Sequence, residues 1–293
     1  MKWENLTSLE FDEAIEKSGG VCLLPLGSLE KHGDHIVVGC DALNAHHVAN
    51  KAAELEYAVV FPNALWMDDM IGCHAAKGEQ TKSLQRRGII AISPRLLEDA
   101  MAELCEEIHR NGFRKILIIN NHGGNTPFLN YFIRTQGYEK RDYATMWTWA
   151  NRPINDPKLT YEIITSRPQD FPLTEEELAT LKRFAETGYG GGHGDFHEVA
   201  LAMGQTLDYV RPEKFDSLVS QSNHSSDYLS DMGVYHGNAW SANYPSFFSG
   251  YPAFGCTQNI GKAYAQLCAE RLAGVIKTLK EDEFCVKLAQ KAE

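Results

Sequence analysis

The feature that most constrains the fold is the five-residue run 115–119 (KILII), which is apolar and mostly β-branched with no polar alternation after its first residue. A strand apolar at nearly every position is buried on both faces, as in a parallel sheet covered by helices. Its flanks agree. Upstream, Ser93 and Pro94 make an N-cap and first helical residue, and Leu97, Met101, Leu104 and Ile108 recur at helical spacing until Gly112 stops the pattern. Downstream, Thr126 and Pro127 open another helix ending near Gly137, and 143–148 supplies a further strand. Earlier in the chain, 21–26 (VCLLPL) and 58–61 (AVVF) read as buried strands, and between them Asp41 can cap a helix through about Glu54. This alternation predicts an α/β fold, a layered sandwich with a mostly parallel central sheet flanked by helices.

A chain of 293 residues is near the upper size for one hydrophobic core, so we expect one domain over 1–293. Residues 151–187 look like an insertion, broken by Pro153, Pro157, Pro168 and Pro172 before an acidic helix over 174–187 that should be a solvated face. The last core element is a helix over 260–279. Before it, residues 209–254 hold ten aromatics in 46 positions, in a loop-rich segment expected to cover a pocket or a subunit contact. The 28 Lys and Arg against 39 Asp and Glu leave a net charge of −11, which repels nucleic acid and anionic membranes; neither is an expected partner. No stretch approaches the roughly 18 apolar residues of a membrane span. The first residues carry acids where a signal peptide needs a basic and then an apolar region, so a cytoplasmic protein is expected. Seven scattered cysteines without a CxxC pair are expected to be reduced and mostly buried.

Chemistry-bearing residues fall in three clusters at junctions. After the first strand comes Gly27-Ser28-Leu29-Glu30-Lys31-His32-Gly33, where extended backbone would turn Glu30 and His32 to one side, and Asp41 follows after turns at Gly33 and Gly39. Asp41 can bridge two cations or serve as an ordinary helix cap. After 115–119 comes Asn121-His122-Gly123-Gly124-Asn125, on the carboxyl edge where parallel sheets bind ligands. The third cluster, 188–198 (GYGGGHGDFHE), offers His193, Asp195, His197 and Glu198, although Asp195 with Glu198 also fits a capping box. Mixed nitrogen and oxygen donors suit zinc, manganese or iron better than calcium, and three carboxylates allow a two-metal centre. Nucleophile-elbow, phosphate-loop and HExxH patterns are absent from the sequence. Cys40 beside Asp41 and Cys73 beside His74 are weaker nucleophile candidates, since free cysteine is usually a small buried hydrophobe.

In order and spacing, the stretch Pro25 to Gly33, then Asp41, then Gly112-Phe113-Arg114-Lys115 leading to Asn121-His122-Gly123-Gly124-Asn125, resembles the creatininase (creatinine amidohydrolase) family. The resemblance implies a creatininase-like α/β sandwich and a divalent-metal centre of two ions (Zn, Mn or Fe). It also implies homo-oligomers, often hexamers, and a metal-dependent amidohydrolase cleaving a small cyclic or non-peptide amide with hydroxide generated at the metal. Carried onto this chain, Glu30 and His32 would each hold a metal, Asp41 would bridge, His122 would complete one shell, and Glu198 would be the fifth ligand. His193 would be the catalytic proton shuttle; around Asp195 and His197 the family's pattern is altered, so either would replace a ligand or touch the substrate. Gly123 and Gly124 stand where creatininase itself has tyrosine and glutamate, which argues against creatinine as substrate. Formamide hydrolases and a peptide-trimming enzyme of cofactor maturation belong to the same family, and a non-catalytic metal-stabilised binding protein is the alternative from another class.

Overall fold

The computed structural model describes residues 1–63, 88–90, 92–188, 192–217, 222–245 and 253–291. Four strands, β1 (Val21–Leu26), β2 (Val59–Val60), β3 (Lys115–Asn120) and β4 (Ala144–Trp149), form one sheet in the order β2-β1-β3-β4, and every pairing is parallel. Leu23 stands opposite Leu117, and Leu117 opposite Met146, so all the carboxyl ends reach the same edge.

Helices cover both faces. In chain order they are α1 (Phe11–Lys17), α2 (Cys40–Leu55), α3 (Pro94–Arg110), α4 (Asn125–Gln136), α5 (Pro157–Ser166), α6 (Glu175–Thr187), α7 (Phe196–Gln205), α8 (Asp227–Asp231), α9 (Ala239–Asn243), α10 (Gln258–Glu281) and α11 (Phe284–Ala289). Strand side chains alternate between two cores, as the two-residue period requires. Val21, Leu23, Leu117 and Ile119 pack with residues of α2, α7 and α10, whereas Cys22, Leu24, Leu26, Ile116 and Ile118 pack with α3 and α4. The layered α/β sandwich follows from that division, and among the described residues the sheet is parallel throughout.

Two glycine contacts set the layer that carries the chemistry. Gly27 ends β1 directly against the first turn of α2, where a Cβ would lie 2.2 Å from the Ala42 nitrogen. Gly204 of α7 faces Gly261 of α10, and a Cβ on Gly204 would lie 2.5 Å from the Gly261 carbonyl oxygen. Side chains at these positions would force the backbones apart.

Several local expectations need correction. Asp41 does not cap α2: Gly39 occupies that position, and Asp41 sits inside the first turn with its carboxylate drawn elsewhere. The helix expected from Thr126 begins at Asn125. On α3 the buried stripe is Leu97, Met101, Cys105 and Ile108, with Leu104 only partly buried. The acidic helix α6 is solvated on one face only, because Thr180, Leu181 and Phe184 are buried on the other. Glu177 is buried too, accepting from the Thr174 amide at 2.8 Å and from the Thr257 hydroxyl at 2.5 Å. Residues 151–187 contain a second helix, α5, that the prolines obscured. Arg167 ties this region to α10 with two bonds to Glu270, at 2.7 and 3.1 Å. Five cysteines among the described residues are buried and Cys285 is half-buried, all of them free thiols, while Cys73 lies outside the described residues.

Candidate metal centre

The three loops expected to share a rim do share it. Glu30 and His32 follow β1, His122 follows β3, and Asp41 comes in from the start of α2, which Gly27 brings against the end of β1. Glu198 enters from the first turn of α7, and His193 lies in the loop before it. Tyr189 to Gly191 of the glycine run lie outside the described residues.

The donors converge into two overlapping groups. In one, His122 Nδ1 lies 2.8 Å from Glu30 Oε1 and 3.0 Å from Asp41 Oδ2. In the other, His32 Nε2 lies 3.3 Å from Asp41 Oδ1 and 3.7 Å from Glu198 Oε2. Asp41 therefore contributes one oxygen to each group. The sets Glu30–Asp41–His122 and His32–Asp41–Glu198 are each close enough to hold one ion, as is a third set, Glu30–His32–His193. Glu30, His32 and Asp41 are 1% exposed or less, a burial that three clustered carboxylates and imidazoles tolerate only with a compensating cation or proton.

Surrounding groups orient the donors. His32 Nδ1 meets the Glu30 carbonyl at 3.1 Å, which assigns a proton to that nitrogen and turns Nε2 toward the acids. His193 is oriented the other way round: its Nε2 meets the Lys31 carbonyl at 2.8 Å, and its Nδ1 lies 3.4 Å from Glu30 Oε1. The two rings stack with centroids 4.3 Å apart. The Ser28 hydroxyl donates to Asp41 Oδ2 at 3.0 Å, and the Gly194 amide donates to Glu198 Oε2 at 2.6 Å. Asp195 caps α7 by accepting from the His197 amide, and Asp195 Oδ1 also lies 2.5 Å from His197 Nδ1. The capping-box reading is thus half right. Glu198 accepts the amide one residue before the cap, and its carboxylate still reaches the cluster.

The electrostatics are those of a site built around positive charge. Burial alone would depress His32, but Asp41, Glu198 and Glu30 outweigh it and raise its pKa to about 10. Burial pushes Glu198 up to about 7. Asp41 is held below the usual carboxylate range; burial opposes this, and the neighbouring His32 and His122 prevail. His193 is depressed to about 4 by burial and is neutral at pH 7. As a test of fit to a metal, His32 Nε2 and Asp41 Oδ1 are buried without a well-formed hydrogen bond to any group among the described residues, and both belong to the donor sets. Imidazole lone pairs and carboxylate oxygens at these spacings fit first-row divalent ions.

Above the cluster is a cavity of about 390 Å³ with Glu30, Asp41, His122, His193, His197 and Glu198 among its lining residues. Tyr235 and Trp240 line it as well, and the Trp240 ring meets His193 edge-on at 4.9 Å. The described part of the aromatic segment therefore does cover a pocket; residues 218–221 and 246–252 lie outside the described residues. Sequence reasoning missed the wall made by Trp149, Asn151, Arg152 and Asn155. The signal was available, since these residues follow β4 on the same carboxyl edge that pointed to His122.

Comparison with known proteins gives the family. Residues 4–276 match the Creatininase family, described as creatinine amidohydrolase. The chain is 25% identical over 126 residues to the creatinine amidohydrolase of Pseudomonas putida, covering 42% of this chain and 45% of that protein. It is 29% identical over 140 residues to the mycofactocin precursor peptide peptidase of Mycobacterium tuberculosis, covering 46% and 52%. Each match thus spans about half the relative's length. Among solved structures, a creatinine amidohydrolase (creatininase) superposes with a TM-score of 0.66 at 20% identity, covering 96% of this chain and 98% of that one, and creatininase structures of similar likeness include a Zn–Zn form and an Mn form. With a profile match over almost its whole length and the same architecture, the chain belongs to the creatininase family.

Proposed function

We propose that this chain is a metal-dependent amidohydrolase with two divalent ions per subunit, zinc, manganese or iron, acting on a small cyclic or non-peptide amide. The observation that carries the reading is Asp41, buried between two donor groups with one oxygen toward each. Glu30, Asp41 and His122 would hold one ion, and His32, Asp41 and Glu198 the other. Ions bound there supply electrophilic polarisation of the amide carbonyl and make water acidic near neutral pH. The chain's residues supply the rest. Ser28 fixes the Asp41 carboxylate, and the Glu30 carbonyl fixes the His32 tautomer. His193, neutral and anchored through Nε2 to the Lys31 carbonyl, offers Nδ1 toward the cluster to accept a proton and return it to the leaving nitrogen. Asp195 orients His197 on the cavity wall, where it would contact the substrate.

Peptide trimming is the second reading, favoured by the similarity to the peptidase and by the bare wall at Gly123, where an added Cβ would meet nothing. A cavity of about 390 Å³ admits more than a single small ring. The chain, with its insertion, is read as one domain, since Ile164, Phe171, Leu181 and Phe184 belong to the same core as α7 and α10. It is also read as a homo-oligomer, such as a hexamer, which the exposed Tyr228, Met232, Val234 and Tyr235 support and light scattering would test. The decisive experiment is metal analysis with Asp41→Ala beside the wild type, followed by a hydrolysis screen of cyclic amides, formylated pyrimidines and short peptides. Wild type should bind two ions, and Asp41→Ala should lose both ions and turnover. Full metal content in the variant would remove the bridging role, and no ion in the wild type even after titration would end the hydrolase reading.

A further inference from the structure

The wall after β4 carries an arginine whose placement the proposed reaction does not explain. Arg152 lines the cavity, and its guanidinium carbon lies 4.1 Å from the ring centroid of Trp149. Four of the described arginines pair with carboxylates, Arg110 with Glu107, Arg114 with Glu283, Arg141 with Glu106, and Arg167 with Asp170 and Glu270, and three more, Arg183, Arg211 and Arg271, donate to backbone carbonyls. Arg152 pairs with no carboxylate among the described residues. Its platform is fixed. Trp149 meets Trp147 edge-on at 5.8 Å, and Arg271 donates to the Trp149 carbonyl at 2.9 Å and to the Thr148 hydroxyl at 2.7 Å. Stacking holds a guanidinium flat while leaving its in-plane donors to a ligand.

Two buried amides line the same cavity: Asn151 and Asn121 are 5% and 4% exposed. The Asn151 side-chain oxygen and both polar atoms of the Asn121 side chain have no hydrogen-bond partner among the described residues. Buried amides without partners are costly, and a ligand carrying its own donor and acceptor would satisfy them.

We infer that the substrate is an amide bearing a free carboxylate, held by Arg152 on its Trp149 platform while Asn151 and Asn121 engage the amide group. The site then has acids and imidazoles at its floor for the reacting carbonyl and one cation on its wall for the carboxylate. A planar guanidinium binds carboxylate through two parallel N–H bonds, which discriminates against the uncharged analogue. This inference rests on the hydrolase reading for the reaction but not for the binding.

The test uses N-benzoylglycine and its neutral counterpart N-benzoylglycinamide as probes with the metal-loaded protein. Phenylglyoxal labelling of Arg152, read by peptide mass mapping, should be blocked by the carboxylate and not by the neutral amide. In Arg152→Gln, affinity for N-benzoylglycine should fall roughly 10- to 100-fold, to the level of the neutral amide, with metal content unchanged. Arg152→Lys should recover part of that loss, because it restores charge without the two-pronged geometry. Arg152 is exposed and stacks on Trp149 without a salt bridge among the described residues, so both variants should fold. Equal protection by the two probes, or unaltered affinity in Arg152→Gln, overturns the inference. Metal content, measured on the same samples, judges the hydrolase reading independently: a metal-free protein that still protects Arg152 with the carboxylate alone would sink that reading and keep this one.

Discussion

At the scale of single residues, the site without metal is held together by protons. His32 stays protonated up to about pH 10 and Glu198 retains a proton up to about pH 7, so the three central carboxylates are partly neutralised from within. Imidazole must lose its proton, and the carboxylate must be ionised, before either binds an ion. Metal uptake should therefore release about one proton or more near pH 7, and apparent affinity should fall as the pH is lowered from 8 to 6. Calorimetric titration in two buffers of different ionisation heat reads this directly; identical heats and a flat pH dependence would show that His32 is already neutral. Ser28 gives a second prediction at this scale. Its hydroxyl bond to Asp41 Oδ2 is a supporting contact, so Ser28→Ala should weaken metal binding about 10- to 100-fold without unfolding the chain, as competition with a chelator would measure.

At the scale of elements, the positions of the donors depend on how closely helices approach the sheet and each other. Gly204 and Gly261 let α7, which carries His197 and Glu198, lie against α10. Gly204→Ala should cost roughly 1–3 kcal/mol by overpacking and also lower metal affinity, since α7 must move to admit the methyl. Unchanged stability by denaturant titration would mean the contact relaxes freely. Glu177 joins α6 to α10. Burial acts to raise its pKa, but its bonds to the Thr257 hydroxyl and to the Thr174 amide and hydroxyl prevail and lower it. A carboxylate with a depressed folded-state pKa stabilises the fold fully above its unfolded value near 4.3, and the contribution disappears as pH falls through the folded value. Glu177→Gln should thus cost about 1 kcal/mol at pH 7 and less at pH 3, as chemical denaturation at the two pH values would show. These elements also mark what was legible beforehand. Strands β1 and β3 announced themselves by unbroken apolar runs, and Glu30, His32 and His122 stood out because each follows such a strand directly. Helix α5 was hidden by its flanking prolines, and the inward turn of Asp41 by its resemblance to a cap. The Trp149–Arg152 wall was invisible for another reason: tryptophan and arginine carry no local signal of ligand contact, and only the shared sheet edge gives them one.

At the scale of the whole molecule, the metal centre adds to contacts that already join its elements, among them the Asn44 amide donating to the Glu198 carbonyl and the Gln205 amide donating to Asn44 Oδ1. Glu30 and His32 belong to the β1 loop, Asp41 to α2, His122 to the β3 loop and Glu198 to α7, so each ion would join the 30–41 stretch to a segment distant in sequence, that of His122 for one ion and that of Glu198 for the other. An ion that binds only the folded chain stabilises it by mass action, about 2.7 kcal/mol for one site at a free concentration one hundred times its Kd. The fold itself does not require the ion, because two apolar layers enclose the sheet on both faces, and a protonated His32 lies within 3.7 Å of all three carboxylates. Removal of metal by chelation should therefore leave the helical circular dichroism spectrum intact while lowering Tm by roughly 5–10 °C, and the shift should reverse on adding zinc or manganese. Asp41→Ala should melt at the same temperature with and without chelator, since both donor sets lose a member. A wild-type Tm indifferent to metal would mean that ions do not bridge the segments, and complete unfolding on chelation would mean that the cross-links, rather than the apolar layers, hold the molecule together.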